Sequence, residues 1–199
     1  MRKAQGGAMK VIGLAGEAGS GKSSVARNLA KREGIAKIDL DRVAWESYRQ
    51  GNPTYKQLLS RFGESILSTS GEIDRSKLGR IVFSDEKALA DLNAIVHPAL
   101  SEKLRSTIEE ERTKGMRILL VEGALLGVSP YVDYSLFDAI LWLTASREAR
   151  EERLRAAGRA SHLQRHVASP NAAPTINIDA EGSIEQTAQQ VLEAIDHLS

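Results

Sequence analysis

Apolar and polar positions alternate in blocks along the chain. Short apolar runs begin at Lys10 and recur over 35–40, 117–122, 138–144 and 175–178, each ending near glycine, aspartate, glutamate or serine. Runs of this kind read as strands, and 117–122, Arg-Ile-Leu-Leu-Val-Glu, suits a parallel strand buried on both faces. Between them the apolar spacing turns helical. Val25, Ala26, Leu29 and Ala30 form one stripe, with Gly34 placed as the glycine that ends the helix. Ile184, Ala188, Val191 and Ile195 form the last, opened by Ser183 with Gln186 as capping-box partner.

From Arg42 to Gly115 the pattern is helical with no convincing strand. Tyr55, Leu58, Leu59, Phe62 and Ile66 make one stripe, Leu89, Leu92, Ile95 and Val96 a second, and Leu100, Leu104 and Ile108 a third. Pro98 is expected to separate the last two helices, with His97 either capping the second or contacting substrate. An ordinary βα connection takes roughly 2–6 residues, so a segment this long reads as a helical, substrate-binding subdomain. Strands alternating with helices imply a mostly parallel sheet covered on both faces.

The chemistry lies at the end of the first strand. Gly16-Glu17-Ala18-Gly19-Ser20-Gly21-Lys22-Ser23 fits G-x-x-x-x-G-K-[ST] and sits between an apolar strand and an amphipathic helix, as a phosphate loop requires. Its glycines let backbone N–H groups turn inward around a polyphosphate, and the helix beginning near Lys22 aims its positive end at the same anion. Lys22 is placed to reach the β- and γ-phosphates and Ser23 to ligate Mg²⁺, while Gly16 through Ser24 form the ATP cradle. A glycine-rich turn without ligand is the alternative. The second strand ends in Asp39-Leu40-Asp41, at the sheet edge where open α/β folds bind ligands. Asp41 is either a helix N-cap or the carboxylate that accepts a substrate hydroxyl proton, and Asp39 either a cap or an aid to the metal. The arginines from 147 to 159 are a solvated face or a source of phosphate contacts, with Arg153, Arg155 and Arg159 the candidates and Arg155 in reach of Glu151.

Composition narrows the classes. Lys and Arg number 27 against 26 Asp and Glu, so no global field points to nucleic acid or a membrane surface. The chain has no cysteine, which excludes disulfides and thiolate metal sites and accords with the cytoplasm. Residues 1–9 carry no apolar core of a signal sequence and read as a disordered leader. No membrane partner is expected, and the chain is expected to act as a monomer or weak homo-oligomer.

Taken together, Gly13-Leu-Ala-Gly16 through Ser24, Ile38-Asp39-Leu40-Asp41, Phe62-Gly63-Glu-Ser-Ile66-Leu67, the stretch from Gly71 to Phe83 and Val96-His97-Pro98 resemble the dephospho-coenzyme A kinase family. The resemblance implies an α/β P-loop kinase fold: a five-stranded parallel sheet with helices on both faces, a core over 10–41 and 116–199, a helical CoA-side subdomain over 42–115, and a short lid near 156–168. It implies ATP- and Mg²⁺-dependent phosphorylation of the ribose 3′-hydroxyl of dephospho-CoA, with Asp41 as base. Lys22 and Ser23 would handle ATP and Mg²⁺, and Arg75 and His97 would contact substrate; Asp39 is a further substrate-contact candidate by its place at the end of the second strand. Arg153 would be the lid-proximal arginine of the family's Arg-Leu pair, here Arg153-Leu154, while Arg159 is a lid candidate by its place beyond Gly158. The family's usual Asp-Ala-Asp is here Asp39-Leu40-Asp41, its Pro-Leu-Leu is Ala124-Leu125-Leu126, and the asparagine of its late Asn-x-Gly is Ala180. Another small-molecule kinase, acting on a nucleoside or sugar, is the runner-up, and a regulatory nucleotide-binding protein the alternative of a different class.

Overall fold

A computed structural model describes residues 8–124, 126–159 and 175–198. Its five strands are β1 (Lys10–Ala15), β2 (Ile35–Asp39), β3 (Ile118–Glu122), β4 (Ala139–Thr144) and β5 (Thr175–Asp179). All pairs are parallel, in the order β2-β3-β1-β4-β5. Burial follows position. β3, inside the sheet, is buried at every residue, whereas the edge strand β5 exposes Asn177 and Asp179.

Two compact units divide the chain: residues 1–39 with 107–199, and residues 40–106. In the first, α1 (Lys22–Leu29) and α7 (Ile184–Asp196) cover one sheet face, where Val25, Leu29, Ala188, Val191 and Ile195 join Ile12, Leu14, Leu120 and Leu141 in one buried cluster. At roughly 1.5–3 kcal/mol per large apolar side chain, this cluster is a principal source of the unit's stability. The opposite face meets Leu126, Gly127 and Phe137. A side chain at Gly13 would strike Ile140 and come within 3.0 Å of Leu126, so the sheet is sealed there by close approach. The capping box of Ser183 and Gln186 forms as expected.

The second unit holds α2 (Leu40–Ser47), α3 (Pro53–Phe62), α4 (Arg75–Val82) and most of α5 (Glu86–Thr113). Tyr55, Leu58, Phe62, Ile66, Leu78, Val82 and Val96 form its core. No strand pairing occurs among its described residues beyond one bridge, Leu67 with Ile73.

Several expectations are corrected. Pro98 does not divide two helices, because α5 runs through it. Proline inside a helix costs about 3 kcal/mol, but burial of Val96, Leu104 and Ile108 along one continuous face, at about 1.5–3 kcal/mol each, outweighs it. His97 is therefore an interior helical residue and caps nothing. Gly34 does not end α1, which stops at Leu29 with Ala30 as its cap. Gly34 instead turns the chain into β2, its carbonyl accepting from the Arg117 and Ile118 amides at 2.8 and 3.1 Å. Met9, counted with the leader, is 6% exposed and belongs to the core, while residues 1–7 of that leader lie outside the described residues. Helix α4 has no counterpart among the stripes expected over 42–115, although Asp74 marks its start by accepting from the Ser76 and Lys77 amides at 2.8 and 3.2 Å.

Candidate active site

The phosphate loop joins β1 to α1 at the carboxyl edge of the sheet, where the strand order reverses about β1. Gly21 takes the left-handed conformation, φ 97°, and as the residue before Lys22 it leaves the first turn of α1 without a side-chain cap. Ser20 is buried and its amide closes the loop on Glu17 O at 3.2 Å. Lys22 Nζ donates to Gly16 O at 2.7 Å, Glu17 O at 2.9 Å and Ser20 Oγ at 3.4 Å, so the ammonium folds back over the loop it serves. Ser23 is exposed on the first turn, and Ser24 Oγ accepts from Arg27. Ala18 lies at the loop's tip beside Gly19.

Asp39 ends β2 and stands in register with Glu122, which ends β3. Glu122 is 4% exposed and forms an ion pair with Lys37 at 3.4 Å. Asp41 lies in the first turn of α2 and not before it, so its N-cap reading is set aside and the position before the helix falls to Asp39. Within the second unit Asp41 belongs to a cluster with Tyr48 and Arg75. The Arg75 guanidinium lies 4.7 Å over the Trp45 ring, and Trp45 meets Tyr48 edge to face at 5.8 Å. Burial pushes the Tyr48 hydroxyl up to about 12, with the Arg75 charge opposing and the Asp41 carboxylate adding to that rise. Tyr48 is thus a neutral phenol that feels both charges. His97, half buried on α5, has its pKa pulled below the ordinary imidazole value by burial, which favours the neutral ring at pH 7.

Helix α6 (Arg147–Ala156) follows β4 and is capped by Ser146, whose hydroxyl accepts from the Ala149 amide. Its arginines divide by face. Arg147 and Arg155 both pair with Glu151, at 2.8 and 3.0 Å. Arg153 Nη2 donates to the carbonyls of Ala180, Glu181 and Gly182 at 2.7, 3.1 and 3.2 Å, so it ties α6 to the loop between β5 and α7. A direct role for Arg153 on a phosphoryl group would require breaking these bonds. Arg159 is exposed, its amide held by Leu154 O at 2.8 Å, and the rest of the expected lid, 160–168, lies outside the described residues. Of the arginines on α6, Arg150, which was not among the candidates drawn from the sequence, reaches the phosphate loop: it pairs with Glu17 at 3.1 Å. Its signal was position. One turn into a helix that starts at the carboxyl end of β4, beside β1, a side chain faces the loop that leaves β1.

Mg²⁺ favours oxygen donors, usually one or two from the protein, with water and substrate phosphates completing the shell. The Ser23 hydroxyl and the carboxylates of Asp39 and Glu122 are donors of that kind, and no cluster of three or more metal-binding side chains occurs among the described residues. Nor, among those residues, is any helix long and apolar enough to cross a membrane.

The family model described as dephospho-CoA kinase matches residues 10–171. A dephospho-CoA kinase of Thermobifida fusca is 37% identical, the match covering 96% of each chain. One from Carboxydothermus hydrogenoformans is 34% identical over 92% of each. Among solved structures, a Thermus thermophilus protein superposes with a TM-score of 0.73 at 29% identity, covering 95% of this chain and 97% of the other.

Proposed function

The chain belongs to the dephospho-CoA kinase family and phosphorylates the ribose 3′-hydroxyl of dephospho-CoA at the expense of ATP, and we propose that Lys22, Asp41 and Arg159 carry the chemistry. The observation that supports this assignment best is the phosphate loop: Lys22 folded over Gly16 and Glu17, with the start of α1 behind it. Lys22 leaves its loop carbonyls for the β- and γ-phosphate oxygens when ATP binds. Ser23 would hold Mg²⁺ with Asp39 in support, and the bound ion would offset the charge of the phosphates. Asp41 accepts the proton of the 3′-hydroxyl as that oxygen attacks phosphorus, and the bond from the γ-phosphorus to the bridging oxygen breaks to give ADP. Arg75 and His97 contact dephospho-CoA, Arg75 as a cation held by Trp45 and His97 as a neutral ring. The subdomain serving that substrate corresponds to 42–115, and the enzyme works in the cytoplasm as a monomer or weak homo-oligomer.

The direct test is coupled ADP release with dephospho-CoA against a panel of nucleosides and sugars, with and without Mg²⁺. Turnover is expected with dephospho-CoA and Mg²⁺. Turnover of a nucleoside or sugar in its place would reverse the reading. The lid arginine is tested separately. Because charge spreads over the equatorial oxygens as the γ-phosphoryl leaves, Arg159→Ala is expected to lower the single-turnover rate roughly tenfold or more at unchanged ATP affinity. Arg153→Ala is expected to lower the melting temperature and ATP affinity by loosening the β5–α7 loop. Equal single-turnover rates for Arg159→Ala and the parent would make that residue a solvated surface group.

A further inference from the structure

Glu17 brings a negative charge into the phosphate loop. It sets a carboxylate between Gly16 and Lys22, in a segment whose backbone N–H groups exist to receive a polyanion. Two like charges roughly 8 Å apart, at an effective dielectric near 20, oppose each other by several times the thermal energy. An unmasked Glu17 would therefore weaken the binding of any nucleotide.

Arg150 masks it. The Nη2 group lies 3.1 Å from Glu17 Oε2, and Nη1 donates to Ala18 O at 3.4 Å. The two side chains are 14% and 30% exposed, so the pair is sheltered from screening. The backbone of α6 presses on the same loop: a Cβ at position 19 would stand 2.7 Å from Arg150 O. Arg150 Nε is buried without a hydrogen-bond partner among the described residues, while Nη1 and Nη2 both face the loop.

We propose that Arg150 is a positioning residue for the phosphate loop that acts through Glu17, cancelling its carboxylate and holding that side chain off the nucleotide so that the loop accepts ATP. The inference rests on the kinase reading, but its signature is distinct. Arg150 and Glu17 should have opposite effects on nucleotide affinity, and removing both should undo the harm of removing Arg150 alone. A guanidinium that gripped the phosphates itself would show no such rescue.

The experiment is calorimetric titration of the full chain with ADP and with ATP, both with Mg²⁺ and without dephospho-CoA, for Arg150→Ala, Glu17→Ala and the double variant. Arg150→Ala is expected to weaken nucleotide binding by roughly ten- to a hundredfold. Glu17→Ala is expected to match the parent or bind more tightly, and the double variant to return to within about threefold of the parent, since paired residues are not additive. Arg150→Lys should fall between, because an ammonium keeps the charge but not the fork. KM for dephospho-CoA should stay unchanged throughout. If the double variant binds as poorly as Arg150→Ala, or if Arg150→Ala binds like the parent, the proposal is overturned. Arg150→Gln, which keeps most of the side-chain bulk, takes the place of Arg150→Ala should the latter not melt cooperatively. Turnover of dephospho-CoA by the parent, measured alongside, tests the kinase reading on its own, since its loss would leave the nucleotide-binding pattern intact.

Discussion

Asp41→Asn is expected to lower kcat by roughly 10²–10⁴-fold while nucleotide affinity stays within a fewfold of the parent, because a positioned base contributes that much to proton transfer. The lower end is favoured, since phosphoryl transfer is loose and the attacking oxygen loses its proton late. The structure adds a reason to separate catalysis from stability. Asp41 lies exposed in the first turn of α2, not at the position before the helix and not in the buried core of its unit. A carboxylate near a helix N-terminus is worth only about 0.3–1 kcal/mol through the helix dipole, so the melting temperature should fall by a few degrees at most. Steady-state kinetics, ADP titration and thermal melts of the one variant check all three statements. Parent-like turnover would return Asp41 to a structural role on α2.

Lys22→Ala should be nearly as damaging to turnover and should act through ATP. Removing one preorganised cationic donor from a developing phosphoryl charge costs on the order of 10²–10³ in rate. The expected result is a fall of that size in kcat/KM for ATP, together with weaker ADP binding and an unchanged KM for dephospho-CoA. Its bonds to Gly16 O, Glu17 O and Ser20 Oγ are half-buried contacts within a loop, and the core beneath it is made by Val25, Ala26 and Leu29. Without nucleotide, each of these three hydrogen bonds adds about 1 kcal/mol, so the melting temperature should fall by roughly ten degrees at most and the domain should stay folded. A large loss of stability in the nucleotide-free variant would show that Lys22 is chiefly a structural clasp of the loop.

Much of the first unit could be read from the chain in one dimension. Apolar runs without alternation have one comfortable home, a parallel sheet covered on both sides, and β1, β3 and β4 are such runs. The phosphate loop was equally legible, because its glycines, Lys22 and Ser23 are consecutive and their geometry is local. The capping box of Ser183 and Gln186 was legible for the same reason. Pro98 was misread because a local penalty was weighed without the tertiary gain that offsets it. Val96, Leu104 and Ile108 must be known to be buried before α5 can be seen to continue.

The arginines mark the boundary most sharply. Sequence alone could place Arg147, Arg150, Arg153, Arg155 and Arg159 on or beyond one helix, and could pair Arg155 with Glu151 four residues away. It could not apportion them further, since the remaining partners lie far along the chain. Arg153 meets carbonyls 27 to 29 residues on, and Arg150 meets Ala18 across a separation of 132. In the same way Arg75 and Trp45, thirty positions apart, come together only because α2 and α4 fold into one unit. What the sequence determined by itself was the set of strands, the phosphate loop and the acidic residues at the end of β2 and the start of α2, all set by spacing within a few residues. Which arginine faces the loop, which is tied to β5–α7 and how one helix survives its proline were decided by tertiary packing, because charge pairing and burial depend on distances that only the folded chain defines.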